Sequence, residues 1–123
     1  MKINELRIGN LCYYGNNIIK ITASDFAIFE LYESKGKEVP YKPIPLSEDC
    51  LLKSGYKSIG LGGFTFEHRN LIGGENRFVI ESDGILFYPQ INFDLCCWGE
   101  FKYIHHLQNL YFTLAGKEHK IKL

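Results

Sequence analysis

The side chains best suited to chemistry in this chain of 123 residues are its four histidines and four cysteines, and two of each are adjacent: His105-His106 and Cys96-Cys97. Zinc is held by imidazole nitrogen and thiolate, and structural zinc sites usually draw on ligand pairs spaced C-x2–4-C and H-x3–5-H. Neither spacing occurs. Neighbouring residues on a helix point about 100° apart, which sends His106 towards the core and His105 towards solvent and keeps them from sharing one ion. Cys96 and Cys97 in a strand would face opposite ways, so a disulfide between them would be strained. With Cys12 and Cys50 they are expected as reduced thiols. No metal and no cofactor is expected.

Other reactive patterns are missing. Gly60-Leu61-Gly62-Gly63 is glycine-rich, but the Lys-Ser/Thr pair that completes a phosphate loop does not follow it. No G-x-S-x-G nucleophile elbow is present. The chain is therefore expected not to be an enzyme. Aromatics give a different kind of candidate. Tyr13, Tyr14, Tyr32 and Trp98 could offer bases a stacking platform, with Lys20 on a phosphate, as small barrels that bind single strands do. Cross-strand packing explains the same aromatics without a ligand. Charge favours the plainer explanation. Lys+Arg and Asp+Glu are 14 each, and only Arg7, Arg69 and Arg77 are arginines, whereas phosphate neutralisation supplies most of the affinity of a nucleic-acid binder.

The elements that must position these residues read as sheet-rich. There are 14 Ile, 14 Leu, 9 Phe and 8 Tyr against 3 Ala and 2 Val. Scarce Ala argues against many helices, and Ile with aromatics argues for strands. Residues 11–14 and 18–22 read as a hairpin about Gly15-Asn16-Asn17, and Phe26 to Tyr32 as a third strand, together resembling the start of an SH3-like barrel. Ser47, followed by Glu48 and Asp49, opens a short helix over 48–54 that Gly55 ends. Strands are expected at Tyr56 to Ile59 and Phe64 to His68. A hairpin is expected over Arg77 to Glu81 and Ile85 to Tyr88 around Ser82-Asp83-Gly84, with Pro89 to Phe93 along an edge. A helix from about Phe101 to Leu114 stops at Gly116, and Lys117 to Leu123 alternates like a final strand.

On that last helix Tyr103, Ile104, Leu107, Leu110, Tyr111 and Leu114 form an apolar face for the sheet. His105, Gln108, Asn109 and Phe112 fall on the other side. A solvated helix rarely places Phe there, so these four are the candidate contacts for a protein partner or a second copy. Cover by the chain's own loops is the alternative.

Asn4-Glu5-Leu6-Arg7-Ile8-Gly9-Asn10 at the start and His105-His106-Leu107-Gln108-Asn109-Leu110-Tyr111-Phe112-Thr113-Leu114-Ala115-Gly116 near the end occur with Pro43-Ile44-Pro45-Leu46-Ser47-Glu48 between them. This combination resembles a set of small proteins of prophages and mobile elements in gut anaerobes. Their terminal helix usually reads His-Gln-Leu-Gln-Asn-Leu-Tyr-Phe-Ala-Leu-Thr-Gly, so His106, Thr113 and Ala115 depart from it. The resemblance implies a phage-related context and carries no activity.

The expectation is one α+β domain over residues 1–123: a mostly antiparallel sheet, SH3-like at its start, with a short middle helix and a C-terminal helix packed on it. With no apolar leader or long apolar run, it is expected in the cytoplasm. Its expected role is non-enzymatic, through an unknown protein partner or itself. Nucleic-acid binding through Tyr13, Tyr14 and Lys20 is the alternative, and an enzyme of unknown class is the third.

Overall fold

In the computed structural model, residues 3–60, 65–69, 71–72, 76–81, 84–88 and 102–123 are described, with the backbone alone for residues 84–88. Strands β1 (Leu11–Tyr14), β2 (Asn17–Lys20) and β3 (Tyr41–Lys42) form an antiparallel sheet in the order β2-β1-β3. Strands β4 (Lys57–Ser58), β5 (Thr65–Arg69), β6 (Arg77–Glu81) and β7 (Gly84–Tyr88) form a second, in the order β4-β5-β6-β7. Helices α1 (Ala23–Ser34), α2 (Glu48–Lys53) and α3 (Ile104–Ala115) complete an α+β fold. Among the described residues the strands make two separate sheets and close no barrel. No described helix is long and apolar enough to cross a membrane.

The expected third strand is a helix. Phe26 to Tyr32 lies inside α1, because Thr22 and Asp25 have the spacing of a capping box. The Asp25 carboxylate accepts from the Thr22 N–H at 2.7 Å and from its hydroxyl at 3.0 Å. Its other oxygen accepts from the Tyr41 hydroxyl at 2.7 Å. Partial burial would raise its pKa, but the bonds from Tyr41 and Thr22 outweigh that and hold the carboxyl below its ordinary value. The cap thus ties α1 to one face of the first sheet. Phe29 packs 4.5 Å from Tyr41 between ring centroids, and Cys12, Ile21, Phe29 and Tyr41 form a buried cluster there. Desolvation, with the nearby Asp25 charge, pushes the Cys12 thiol up to about 11, so it stays protonated and unreactive. Cys12 and Cys50 are free thiols; Cys96 and Cys97 lie outside the described residues.

The main core joins α2 and α3 to the second sheet. Ile44, Cys50, Leu51, Tyr56, Phe66, Phe78, Ile80, Ile104, Leu107 and Tyr111 are buried together, with Leu11 and Tyr13 of β1 packed against them. Helix α3 therefore lies between the sheets, with Ile104, Leu107 and Tyr111 inward as their spacing predicts. Ser47 caps α2 by accepting from the Cys50 N–H at 3.2 Å. Gly116 ends α3 in the left-handed region at φ 70°, which Cβ-bearing residues disfavour. The expected hairpin β6–β7 forms, with Phe78 opposite Phe87. The tail after Gly116 is not a strand. It is held by side chains: Tyr56 hydroxyl to His119 Nε2 at 2.9 Å, and the Lys122 N–H donating to Ser54 Oγ at 2.9 Å. The expected glycine turns at 62–63 and 73–74, the hairpin turn at Ser82-Asp83, the edge segment Pro89 to Phe93, Trp98 and Phe101 lie outside the described residues.

Burial, helped by the charge of His68, lowers His119 from an ordinary 6.5 to about 4. The folded ring is neutral at pH 6, while the unfolded ring takes up a proton there. Acidification thus favours unfolding: the contribution of His119 is complete above about pH 6.5 and is lost as pH falls towards 4. Urea midpoints should fall over that window, and His119→Phe should make the fall shallower, leaving the share of His105, which burial lowers to about 4 as well. A window with the same slope in the variant would place the titrating group elsewhere.

Candidate functional site

Residues 5–11 near the start of the chain and helix α3 near its end form one unit. Glu5 ends a 3-10 turn (Ile3–Glu5), and residues 5–11 then run along the face of α3 that carries Gln108 and Asn109. Gln108 Oε1 accepts from the Leu11 N–H at 2.9 Å, and its Nε2 donates to the Gly9 carbonyl at 3.4 Å. Asn109 Nδ2 donates to the Glu5 carbonyl at 2.7 Å, and its Oδ1 accepts from Asn10 Nδ2 at 2.8 Å and Arg7 Nε at 3.3 Å. Asn10 is fully buried, and its own Oδ1 accepts from the Arg7 N–H at 2.7 Å. Gly9 sits at φ 98°, where a side chain would be strained, and this lets its N–H reach the Ile21 carbonyl at 2.8 Å. The segment thereby continues the β1–β2 hairpin.

Arg7 closes the unit from outside. Its guanidinium makes a two-pronged ion pair with Glu118 and lies 4.0 Å over the Phe112 ring. The Arg7 hydrogen bonds hold the Glu118 carboxyl below its ordinary range. Phe112 remains 37 % exposed and is partly explained as a platform for this cation. The expected partner face of His105, Gln108, Asn109 and Phe112 is therefore largely covered by the chain's own residues 5–11. The amides use their hydrogen bonds inside the fold, and Gln108 is only 3 % exposed.

The histidines also differ from expectation. His105 is fully buried and His106 partly so, the reverse of the predicted assignment. Their rings are 4.3 Å apart between centroids and both reach one carboxylate: Glu5 Oε2 is 3.5 Å from His105 Nε2 and 3.6 Å from His106 Nε2. One ligand atom from each of the three residues lies within 4.8 Å of the other two. The Cα–Cβ directions diverge as helical geometry requires, but two flexible bonds per side chain bring the rings back to a group from another segment. Tyr103 precedes the helix without a side-chain cap, and no acidic residue stands in the first turn of α3. Glu5 supplies from elsewhere the negative charge that a helix start favours. Burial and the proximity of His106 lower His105 to about 4, so its ring is neutral at physiological pH. Neither of its nitrogens has a hydrogen-bond partner among the described residues.

The candidate nucleic-acid residues do not assemble into one platform. Adjacent strand residues face opposite ways. Tyr13 packs into the main core, whereas Tyr14 meets Tyr41 edge-on at 5.1 Å on the α1 side. Tyr32 is on α1, and Lys20 lies opposite Leu11 at the far end of the hairpin from Tyr14. Lys20 does line a cleft of about 320 Å3 with Lys120. A second cleft, of about 530 Å3, is lined by Lys53, Lys117, Lys120 and Lys122. No protein-family model, curated protein or solved structure matches the chain.

Replacing Gln108 by Leu keeps the volume but leaves the Leu11 N–H and the Gly9 carbonyl without their partner. Gln108→Leu should lower unfolding free energy by about 1–3 kcal/mol in urea titrations. Thr113→Ala, on the exposed side of the same helix, should change it by less than about 0.5 kcal/mol. Equal effects would mean that the docked segment contributes nothing special.

Proposed function

We propose that this chain is a non-enzymatic binding protein of a prophage or mobile element, and that it works by pairing the β2 edge with the same strand of a second copy. The observation that carries this reading is the edge itself. Strand β2 ends its sheet, and among the described residues no strand pairs with its outer side. The two-residue turn makes Tyr14–Asn17 a hydrogen-bonded pair, and the Ile21 N–H donates to the Asn10 carbonyl, so such pairs alternate along the hairpin. The backbone groups of Ile18 and Lys20 therefore face outward. Ile18 is also 48 % exposed, and the edge lacks the proline or bulge that usually blocks such pairing. A twofold antiparallel pair would set Ile18 of one copy opposite Lys20 of the other. The Lys stem would then cover the isoleucine.

Light scattering after size exclusion should give a dimer that dissociates on dilution. Ile18→Pro removes an outward N–H and no bond of the β1–β2 hairpin, so it should yield a monomer with the parental melting midpoint. A parental monomer, or a dimer that survives Ile18→Pro, would overturn the assignment.

The lysines around the C-terminal tail favour a second reading, a phosphodiester-binding surface. It rests on Lys20, Lys53, Lys117, Lys120 and Lys122 rather than on tyrosine stacking. Fluorescence anisotropy should then show DNA or RNA binding that weakens steeply with salt and is lost in Lys20→Glu/Lys120→Glu. Absence of binding at low salt removes this reading.

A further inference from the structure

We propose that Glu5, His105 and His106 bind a divalent transition-metal ion of the zinc class. The site is independent of the β2 edge and adds a property to the protein whether or not it dimerises.

The donor set is right for such an ion. Two imidazoles and one carboxylate are intermediate-to-hard ligands that suit zinc and its neighbours, and they bring one negative charge to the cation. The spacing is right as well. Ligand atoms about 2.1 Å from a tetrahedral ion stand about 3.4 Å apart, and Glu5 Oε2 lies 3.5 Å and 3.6 Å from the two Nε2 atoms. Small rotations of the side chains would centre an ion among the three. Three protein ligands leave at least one coordination position to water, on the side where Glu5 and His106 meet solvent.

A second observation points to a ligand. His105 is fully buried, yet neither ring nitrogen has a hydrogen-bond partner among the described residues. Buried polar atoms in folded proteins are nearly always paired, and an unpaired one calls for an explanation such as an ion. Its Nε2 edge is turned to the carboxylate, and Tyr103 stacks on the ring at 5.7 Å with planes only 7° apart, fixing that orientation. The backbone at Glu5 is held too, by the bond from Asn109 Nδ2 to its carbonyl. The surroundings thus hold the His105 ring and the backbone that carries Glu5 in place.

His106 requires one rearrangement. Its Nδ1 accepts from the Lys102 N–H at 3.2 Å, which places the ring proton on Nε2. To coordinate through the Nε2 lone pair the ring must carry its proton on Nδ1, and the Lys102 N–H turns to solvent. The transfer is internal to the ring and releases no net proton.

The test is titration of the metal-free full chain with Zn2+ by calorimetry, and with Co2+ by its visible spectrum. One ion per chain is expected for each. Glu5→Gln and His106→Gln should each weaken Zn2+ at least tenfold while the metal-free variants keep the parental circular-dichroism spectrum, since neither side chain is fully buried. His68→Gln, elsewhere on the fold, should bind like the parent. His105→Gln should also abolish binding, but it places an amide at a fully buried position, so the first two variants decide. Absence of saturable binding, affinity unchanged in Glu5→Gln, or a thiolate charge-transfer band showing a cysteine ligand would each overturn the proposal.

Discussion

The hydrogen bonds from Gln108 and Asn109 to the backbone of residues 5–11 are the constraint on which the rest of the structure depends. A helix between two sheets must be covered on both sides, and α3 is apolar on only one. Its other side carries amides, which cannot be buried unpaired without a cost of about 1–3 kcal/mol each. An extended segment has peptide groups to match them. Gln108 takes the Leu11 N–H and the Gly9 carbonyl, and Asn109 takes the Glu5 carbonyl. The register of that segment sets where β1 begins, and so where the hairpin, Tyr41 and α1 lie. The opposite side of α3, through Ile104, Leu107 and Tyr111, fixes the second sheet. One helix thus orients both halves by two kinds of force, apolar burial on one side and directional bonds on the other.

Much of this is legible in the sequence. Period and caps locate α2 and α3, since Ser47, Gly55 and Gly116 are strong local signals that packing does not override. Turn chemistry locates the Gly15-Asn16 hairpin and the β6–β7 pair. That α1 reads as a strand has a definite source. Phe26, Ile28 and Phe29 are β-prone by type, and the helix has no clean apolar stripe because it packs by Phe29 while Leu31 stays exposed. The decisive signal is the spacing of Thr22 and Asp25, an N-terminal cap that outweighs the β propensity of residues 26–32. The tail misleads differently: its alternation is genuine, but Glu118 and His119 alternate between an ion pair with Arg7 and a buried bond to Tyr56, not between the faces of a sheet.

The site is only half legible. His105, Gln108, Asn109 and Phe112 are visible as an odd, non-apolar face, and that face is indeed where α3 meets something. The occupant is not visible, because nothing in spacing or periodicity brings residues 5–11 to residues 105–112 across most of the chain. In the fold, Glu5, Arg7 and Asn10 all meet side chains of residues 105–109. Glu5 escapes a sequence reading for the same reason: a lone acidic residue in a polar start has no local signature.

Side by side on α3, Gln108 and His105 show what separates a structural polar residue from one held for a ligand. Both are buried. Gln108 has its carbonyl oxygen and its amide both engaged by backbone, and its presence is explained by the chain it docks. His105 is oriented by Tyr103, yet both its nitrogens lack hydrogen-bond partners among the described residues. A leucine in that place would fill space and cost no desolvation, whereas an unpaired buried imidazole costs of order 1–3 kcal/mol. Stability alone would not retain a histidine there. What a leucine cannot offer is a nitrogen facing Glu5, and a cation shared with His106 would engage that nitrogen.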